Sequence, residues 1–343
     1  MSTQARDPAG DGPLRFLVGP TASGKSDLAL AVAEAAGAQL LSLDSMLVYR
    51  GMDIGTAKPD AAMQARVPHH LMDLAGPEEE FNVQQWRTAA LEALEQVAAA
   101  GERALFVGGT AFYLKALVYG LFDGPPVDPA LRAELEQRAR DLGPEALHAE
   151  LAAVDAASAA RLHPNDVRRV VRGLEVWHQT GRTLSDWQQE WGGHPTGQTG
   201  QPGQSGQSGQ SQPDGKARGL PRRIVGLASE TEGLDERIRR RTTAMLDAGW
   251  AEEARSIRAG PGFGATARQA LGYAQVLRLV DGELEREVCE QEIALRTRQF
   301  ARRQRTWLRK FSEIEWLEAP RPGEGSAAPE RVEQALVALG LKD

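Results

Sequence analysis

The sequence predicts an α/β fold, a parallel sheet flanked by helices and interrupted by an all-α insertion. Three observations carry this prediction. The first third alternates short apolar runs with helical periodicity, the mark of βαβ units. The middle is rich in Ala, Leu and Glu and shows no strand signal. Beyond it, "RIVGLA" at residues 223–228 returns to strand character, so the helical stretch interrupts one α/β domain.

Taken in order, the first strand is predicted over residues 14–18 (LRFLV) and is followed by GPTASGKS at 19–26. Further strands are predicted at 39–43 and 104–107. Between them lies a helix over 82–100, with Val83, Trp86, Ala90, Leu94 and Val97 at helical spacing. Each strand ends where a polar or glycine-containing motif begins, which is where open α/β sheets hold ligands. Residues 14–124 form the first part of the core and 125–191 a helical insertion. A Gly/Gln/Ser tract at 192–219 has no apolar side chain to bury and is expected to be a solvated loop. Residues 220–318 return to the core with basic helices and a last apolar piece at 314–317. Residues 319–343 make a tail with a helix near 329–339.

The length of 343 residues suits one sizeable domain with an insertion, or two domains. A hydrophobic fraction of 41% and a charged fraction of 25% are those of a globular chain. No apolar run approaches the ~20 residues of a membrane span. Residues 1–13 lack an apolar signal region and are expected to be a frayed start, and a cytosolic location is expected. A lone cysteine, Cys289, excludes an internal disulfide and a cysteine-based metal site. A monomer is the default expectation. The net charge of −7 argues against coating nucleic acid by bulk charge. The charge is segregated, however: "IALRTRQFARRQRTWLRK" at 293–310 holds seven Lys/Arg and no acid.

Residues Gly19, Pro20, Thr21, Ala22, Ser23, Gly24, Lys25 and Ser26 match G-x-x-x-x-G-K-[ST] between a strand and a helix, the setting that gives this motif its function. The glycines let backbone N–H groups turn toward phosphate oxygens, Lys25 bridges phosphates and Ser26 can ligate Mg²⁺. The fold class is thus P-loop NTPase-like. Residues alone leave open whether ATP, GTP or another diphosphate is held. The apolar strand "ALFVGGT" ends in Gly108-Gly109-Thr110, where an NTPase would place a metal-holding Asp. Asp44, closing "LLSLD", sits at a strand end facing the P-loop. It can serve as a general base, as in a small-metabolite kinase, or be a turn or capping residue. His69 and His70 lack a third ligand at metal spacing and suit packing or hydrogen bonding.

Seven segments in order carry a resemblance. They are "GPTASGKS", "LLSLDSMLVYRGMDIGTAKP", "VPHHLMDL", "FVGGTAFYLKAL", "HPNDVRRVVRGLEV", "QALGY" and "TRQFARRQRTWLRK". Together they resemble the tRNA dimethylallyltransferase family in its bacterial form, since a Cys/His zinc finger is absent. The tract at 192–219 looks like an added loop. The resemblance implies that the P-loop binds the diphosphate of dimethylallyl diphosphate with Mg²⁺ as cofactor. It implies transfer of the prenyl group to an adenine beside the anticodon, with Asp44 as general base and Thr110 holding the amine. Arg237 or Arg241 would contact the diphosphate, and the sequence does not choose between them. It also implies tRNA contacts from Asp44, Ser45, Met46, Leu47 and Thr110, from Arg132, and from Arg168, Arg169, Val170, Val171 and Arg172. The "QALGY" stretch (Gln269, Ala270, Leu271, Gly272, Tyr273 and Ala274) and the basic stretch (Thr297, Arg298, Gln299, Phe300, Ala301, Arg302, Arg303 and Gln304) complete that set.

Beside the resemblance, helical spacing puts Arg298, Arg302, Arg305 and Arg309 on one face fit for an RNA backbone, with Phe300 and Trp307 directed toward packing. The alternative is a solvated face bridged to Glu287, Glu290 and Glu292. Val167, Val170, Val171 and Leu174 make an apolar stripe, with Asp166 as N-cap. Three rival functions are an isopentenyltransferase of free nucleotide, a P-loop kinase, and an RNA-binding protein with a degenerate P-loop. The arginine-rich helix and the helical insertion speak against the first.

Overall fold

The computed structural model describes residues 12–121, 124–190, 221–228, 233–318 and 324–342. The expectations for residues 1–11 and for the tract 192–219 lie outside the described residues. The chain forms two compact units, one from Met1–Tyr119 with Gly209–Asp343 and one from Gly120–Ser208.

The first unit is built on β1 (Leu14–Val18), β2 (Ala38–Leu43), β3 (His69–His70), β4 (Arg103–Gly108), β5 (Arg222–Leu227) and β6 (Ile314–Leu317). All pairings are parallel, in the order β3-β2-β4-β1-β5-β6. The strand after the insertion does rejoin the first sheet, since Phe16 of β1 aligns with Phe106 of β4 and Ile224 of β5. β3 has no apolar pattern of its own. It exists because His69 and His70 run alongside Leu40 and Leu41.

Helices cover both faces, as a parallel sheet requires. On one lie α1 (Lys25–Ala36) and, by its chain position, α2 (Ala61–Arg66) before β3. Leu28, Ala29 and Val32 of α1 pack with Leu17, Leu40 and Val225 of the strands and with Leu336 of the closing helix. On the other lie α3 (Val83–Ala99) and α4 (Ala111–Tyr119), where Trp86 stacks on Tyr113 at 4.3 Å and its indole N–H donates to the Ser42 carbonyl at 3.3 Å. α3 begins in a capping box between Asn82 and Gln85.

The second unit holds α5 (Pro129–Leu142), α6 (Pro144–Val154), α7 (Ala156–Ala159), α8 (Val167–Thr180) and α9 (Leu184–Glu190). Its core joins Leu135, Leu147, Leu151, Val170, Val171 and Leu174. Asp128 caps α5, accepting from the Ala130 and Leu131 N–H groups. Asp166 stands at the N-cap position of α8 but makes no capping hydrogen bond. Its carboxylate turns to Arg169 at 3.2 Å.

The first unit is completed by α10 (Leu234–Asp247), α11 (Trp250–Ala259), α12 (Tyr273–Val280), α13 (Arg286–Leu308) and α14 (Pro329–Ala338). α13 packs on α10 through Ala294 and Ala301 against Leu234 and Ile238. No helix among the described residues is long and apolar enough to cross a membrane.

Candidate active site

Sheet order determines what meets at the carboxyl edge. β2, β4 and β1 are neighbours, so Asp44, the Gly108-Gly109-Thr110 turn and the P-loop emerge side by side. The turns touch directly. The Gly19 N–H donates to the Gly108 carbonyl at 3.3 Å and the Thr110 N–H to the Leu43 carbonyl at 3.2 Å. A Cβ at residue 108 would run into the Leu43 backbone, so only glycine allows this approach.

Above this edge opens a cleft of about 690 Å³. Its floor is the P-loop, which supplies Thr21, Lys25 and Ser26. Gly24 turns left-handed at φ 89° to start α1, and Ala22 shares that region at φ 59°. Lys25 donates from Nζ to the Pro20 carbonyl at 3.1 Å. Burial pulls its pKa from 10.5 down to about 8, with Asp44 opposing the shift and Arg241 adding to it.

Arg237 and Arg241 lie one helical turn apart, and the structure separates them. Arg241 lines the cleft and donates to Thr21 Oγ1 at 3.2 Å, whereas Arg237 donates to the Ala22 carbonyl at 3.0 Å. Burial lowers the Arg241 pKa and Asp44 partly restores it. Asp44, Ser45, Met46 and Leu47 line the cleft together, and Asp44 is the one carboxylate among its described lining residues. Its Oδ1 accepts from the Met46 N–H at 2.9 Å, so the turn role expected as an alternative is real and leaves the carboxylate in the cleft. Thr110 Oγ1 accepts from the Ser45 N–H at 3.2 Å, which places its hydroxyl beside the Asp44 turn.

One wall is the loop at residues 53–57, held from behind by Glu253. That carboxylate accepts from the N–H groups of Asp53 at 2.8 Å, Ile54 at 2.7 Å and Gly55 at 3.1 Å, and from the Tyr273 hydroxyl at 2.6 Å. Gly55 packs so closely on Trp250 and Tyr273 that no Cβ fits. Gln269, Ala270, Leu271, Gly272 and Ala274 line the cleft, while Tyr273 is buried behind it. His69 also lines the cleft, with Nδ1 2.7 Å from the Val67 carbonyl, and burial lowers its pKa. His70 Nε2 lies 2.5 Å from Gln39 Oε1. Among the described residues no group of three or more His, Cys, Asp or Glu is placed to hold a metal ion.

The opposite wall is α13, and here the packing expected of Phe300 and Trp307 is corrected. Its lining residues are Ile293, Arg296, Thr297, Gln299, Phe300 and Arg303, with the buried Gln304 at the base beside the P-loop. Phe300 is 37% exposed at the cleft and Trp307 36% exposed, so neither is packed inside. Arg302 and Arg309 are exposed but do not line the cleft, Ala301 is buried, and Arg298 pairs with Asp235 at 3.1 Å. Glu290 and Glu292 pair with Arg286 at 2.9 Å and Arg278 at 3.3 Å. The sequence reading missed Arg296. Taking Phe300 as the marker of the open face would have found it, since Arg296, Phe300 and Arg303 fall at i, i+4 and i+7. Arg268 was also missed, and it brings the cleft's described cations to five with Lys25, Arg241, Arg296 and Arg303.

In the second unit, Val170 and Val171 are core residues at 1% exposure, while Arg168 and Arg169 are exposed. Arg132 and Arg172 share one fully buried acid: Glu175 Oε2 accepts from both, at 2.6 and 2.8 Å. Arg172 also donates to the Pro125 carbonyl at 2.7 Å.

Comparison with known proteins identifies the family. The family model described as IPP transferase matches residues 47–311, and one described as isopentenyl transferase matches 12–73. A tRNA dimethylallyltransferase of Alkalilimnicola ehrlichii is 42% identical over 98% of this chain and 99% of its own, and one of Methylococcus capsulatus 41% identical over 94% and 98%. The crystal structure of the full-length tRNA isopentenylpyrophosphate transferase of Bacillus halodurans is similar at 29% identity and TM-score 0.62, covering 96% of each chain. A eukaryotic dimethylallyltransferase structure at 24% identity and TM-score 0.74 shares the fold, covering 95% of this chain and 78% of its own. A P-loop whose neighbouring strand ends in glycines, read together with these full-length relatives, places the chain in the tRNA dimethylallyltransferase family of prenyl-transferring enzymes.

Proposed function

We propose that the protein transfers a dimethylallyl group from dimethylallyl diphosphate to the exocyclic amine of the adenine 3′ of the anticodon in tRNA, releasing pyrophosphate in the cytoplasm. The observation that carries this reading is the cleft's charge arrangement. Asp44, the one carboxylate among the described lining residues, stands at the strand edge beside the P-loop, with Lys25 and Arg241 in the same cleft.

The reaction breaks the allylic C1–O bond and forms a bond from C1 to the amine nitrogen. The bonding pair of C1–O leaves with the pyrophosphate, where negative charge grows. The P-loop N–H groups, Lys25 and Arg241 face that charge and stabilise it more in the transition state than in the ground state. The attacking nitrogen gains positive charge and must lose a proton. Asp44 accepts it, and the Thr110 hydroxyl beside the Asp44 turn orients the amine. Arg237, bonded to the Ala22 carbonyl, supports the loop's shape. The hydroxyl of Ser26 is a hard oxygen donor in the cleft, the chemistry Mg²⁺ accepts. Bound there with the diphosphate, Mg²⁺ would neutralise part of the leaving group's charge.

An adenine must leave its stack for its amine to reach such a cleft. Phe300, open at the cleft between Arg296 and Arg303, offers an aromatic face and flanking cations to an unstacked strand. The exposed Arg168 and Arg169 and the Glu175-held pair Arg132 and Arg172 supply further phosphate contacts from the second unit.

The test is transfer of label from dimethylallyl diphosphate into an unmodified tRNA anticodon stem-loop, against the same stem-loop with inosine at the target position and against AMP. Label in the adenine substrate alone is expected. Label only in AMP, or ATP turnover without label transfer, would overturn the reading.

A further inference from the structure

Gln304 sits within the basic stretch of α13, yet its side chain is 6% exposed and turned inward. Its Oε1 accepts from the Thr21 N–H at 2.8 Å, and its Nε2 donates to the Gly109 carbonyl at 3.0 Å. The two ends of one carboxamide are thus committed to two different strand-end loops, the P-loop after β1 and the glycine turn after β4. That turn runs directly into Thr110, which holds the Ser45 N–H next to Asp44. The turn is also shaped around the amide. A Cβ at residue 109 would collide with Gln304 Nε2 and would lie 2.8 Å from the Gly19 carbonyl.

Common replacements do not keep both bonds. Glutamate has no donor for Gly109 and would set a negative charge beside the phosphate-binding loop. Methionine, similar in length, satisfies neither partner. The same helix presents Phe300 and Arg303 to the cleft, while Ala301 packs in a cluster that Ala22 of the P-loop joins. One rigid element therefore carries both a cleft-facing surface and the clamp on the P-loop.

We propose that Gln304 is a positioning residue for the diphosphate site and not an RNA contact. It fixes the P-loop and the Thr110 turn in one register, and it couples occupation of the α13 surface to diphosphate binding. The proposal rests on the reading of the P-loop as a diphosphate site.

The experiment compares the full-length protein with its Gln304→Met and Arg303→Ala variants. It uses inorganic pyrophosphate with Mg²⁺ as one probe and an unmodified anticodon stem-loop as the other. In Gln304→Met, pyrophosphate affinity is expected to fall about tenfold, the equivalent of one well-placed hydrogen bond. Affinity for the stem-loop alone should stay within about twofold with an unchanged salt slope. Any tightening of stem-loop binding by pyrophosphate should be lost. Arg303→Ala should do the reverse, weakening the stem-loop and reducing the salt slope. Loss of stem-loop affinity in Gln304→Met with pyrophosphate binding intact would overturn the proposal. So would a lowered melting temperature with both affinities unchanged, which would make the clamp only a structural staple. Absence of label transfer by the unsubstituted protein would sink the functional reading instead, because the pyrophosphate comparison does not depend on transfer.

Discussion

Raising the pH discharges Lys25, and the structure specifies where and by how much affinity should respond. Burial brings its pKa down to about 8, against an ordinary value of 10.5. A group with that pKa is about 90% charged at pH 7, half charged at pH 8 and about 10% charged at pH 9. With the diphosphate held by the charged form alone, affinity should be about twofold below its plateau at pH 8 and about elevenfold below at pH 9. The sign follows from linkage. The bound diphosphate favours the ammonium, so binding takes up a proton above pH 8, and affinity falls as the pH rises through the free protein's value. Unfolding does not mimic this. A lysine whose pKa is lowered by folding opposes folding while charged, and that cost is relieved as the pH rises from about 8 toward 10.5. The assay is titration with pyrophosphate and Mg²⁺ from pH 7 to 9.5, read by intrinsic tryptophan fluorescence, to which Trp250 in the cleft wall contributes, or by calorimetry in buffers of different ionisation heat. Lys25→Met should bind weakly and without the falling limb. Affinity flat to pH 9.5, or a limb that persists in Lys25→Met, would show that the Lys25 ammonium does not hold the diphosphate.

Three further outcomes are expected. Gly109→Ala forces a Cβ onto Gln304 and the Gly19 carbonyl, and should cost about 1–3 kcal/mol by thermal denaturation, with pyrophosphate affinity falling as well. Glu253→Ala leaves the N–H groups of Asp53, Ile54 and Gly55 and the Tyr273 hydroxyl without their acceptor. It should lower stability in urea by about 1–3 kcal/mol and raise KM for the prenyl donor. Glu175→Leu removes the buried acid that holds Arg132 and Arg172. Because both arginines reach water, the cost in urea unfolding should be near the lower end for a broken buried pair, about 3 kcal/mol.

The parts legible in the sequence are those where backbone and packing share one pattern. β1, β2 and β4 are apolar runs ending in motifs because both faces of a parallel sheet are buried. β3 was not legible, since two histidines gain strand geometry only from Leu40 and Leu41. On α13 the buried stripe includes Cys289, Ala294, Ala301 and Gln304 as well as Ile293 and Leu308. Small and polar residues hide such a stripe from a hydrophobicity reading, which then sends Phe300 and Trp307 inward. The choice between Arg237 and Arg241 was beyond periodicity as well, because residues four apart share a helix face. The cleft lining and the positions of Thr21 Oγ1 and the Ala22 carbonyl separate them.

The central claim is that this P-loop serves a departing pyrophosphate while Asp44 removes the amine proton. Its most direct test is single-turnover transfer by Asp44→Asn, measured beside pyrophosphate affinity in the same preparation. Transfer is expected to fall by about 10²–10⁴, the range of a lost general base, with pyrophosphate affinity within about threefold of the unsubstituted protein. Near-normal transfer, or a loss of pyrophosphate binding that matches the loss of transfer, would contradict it.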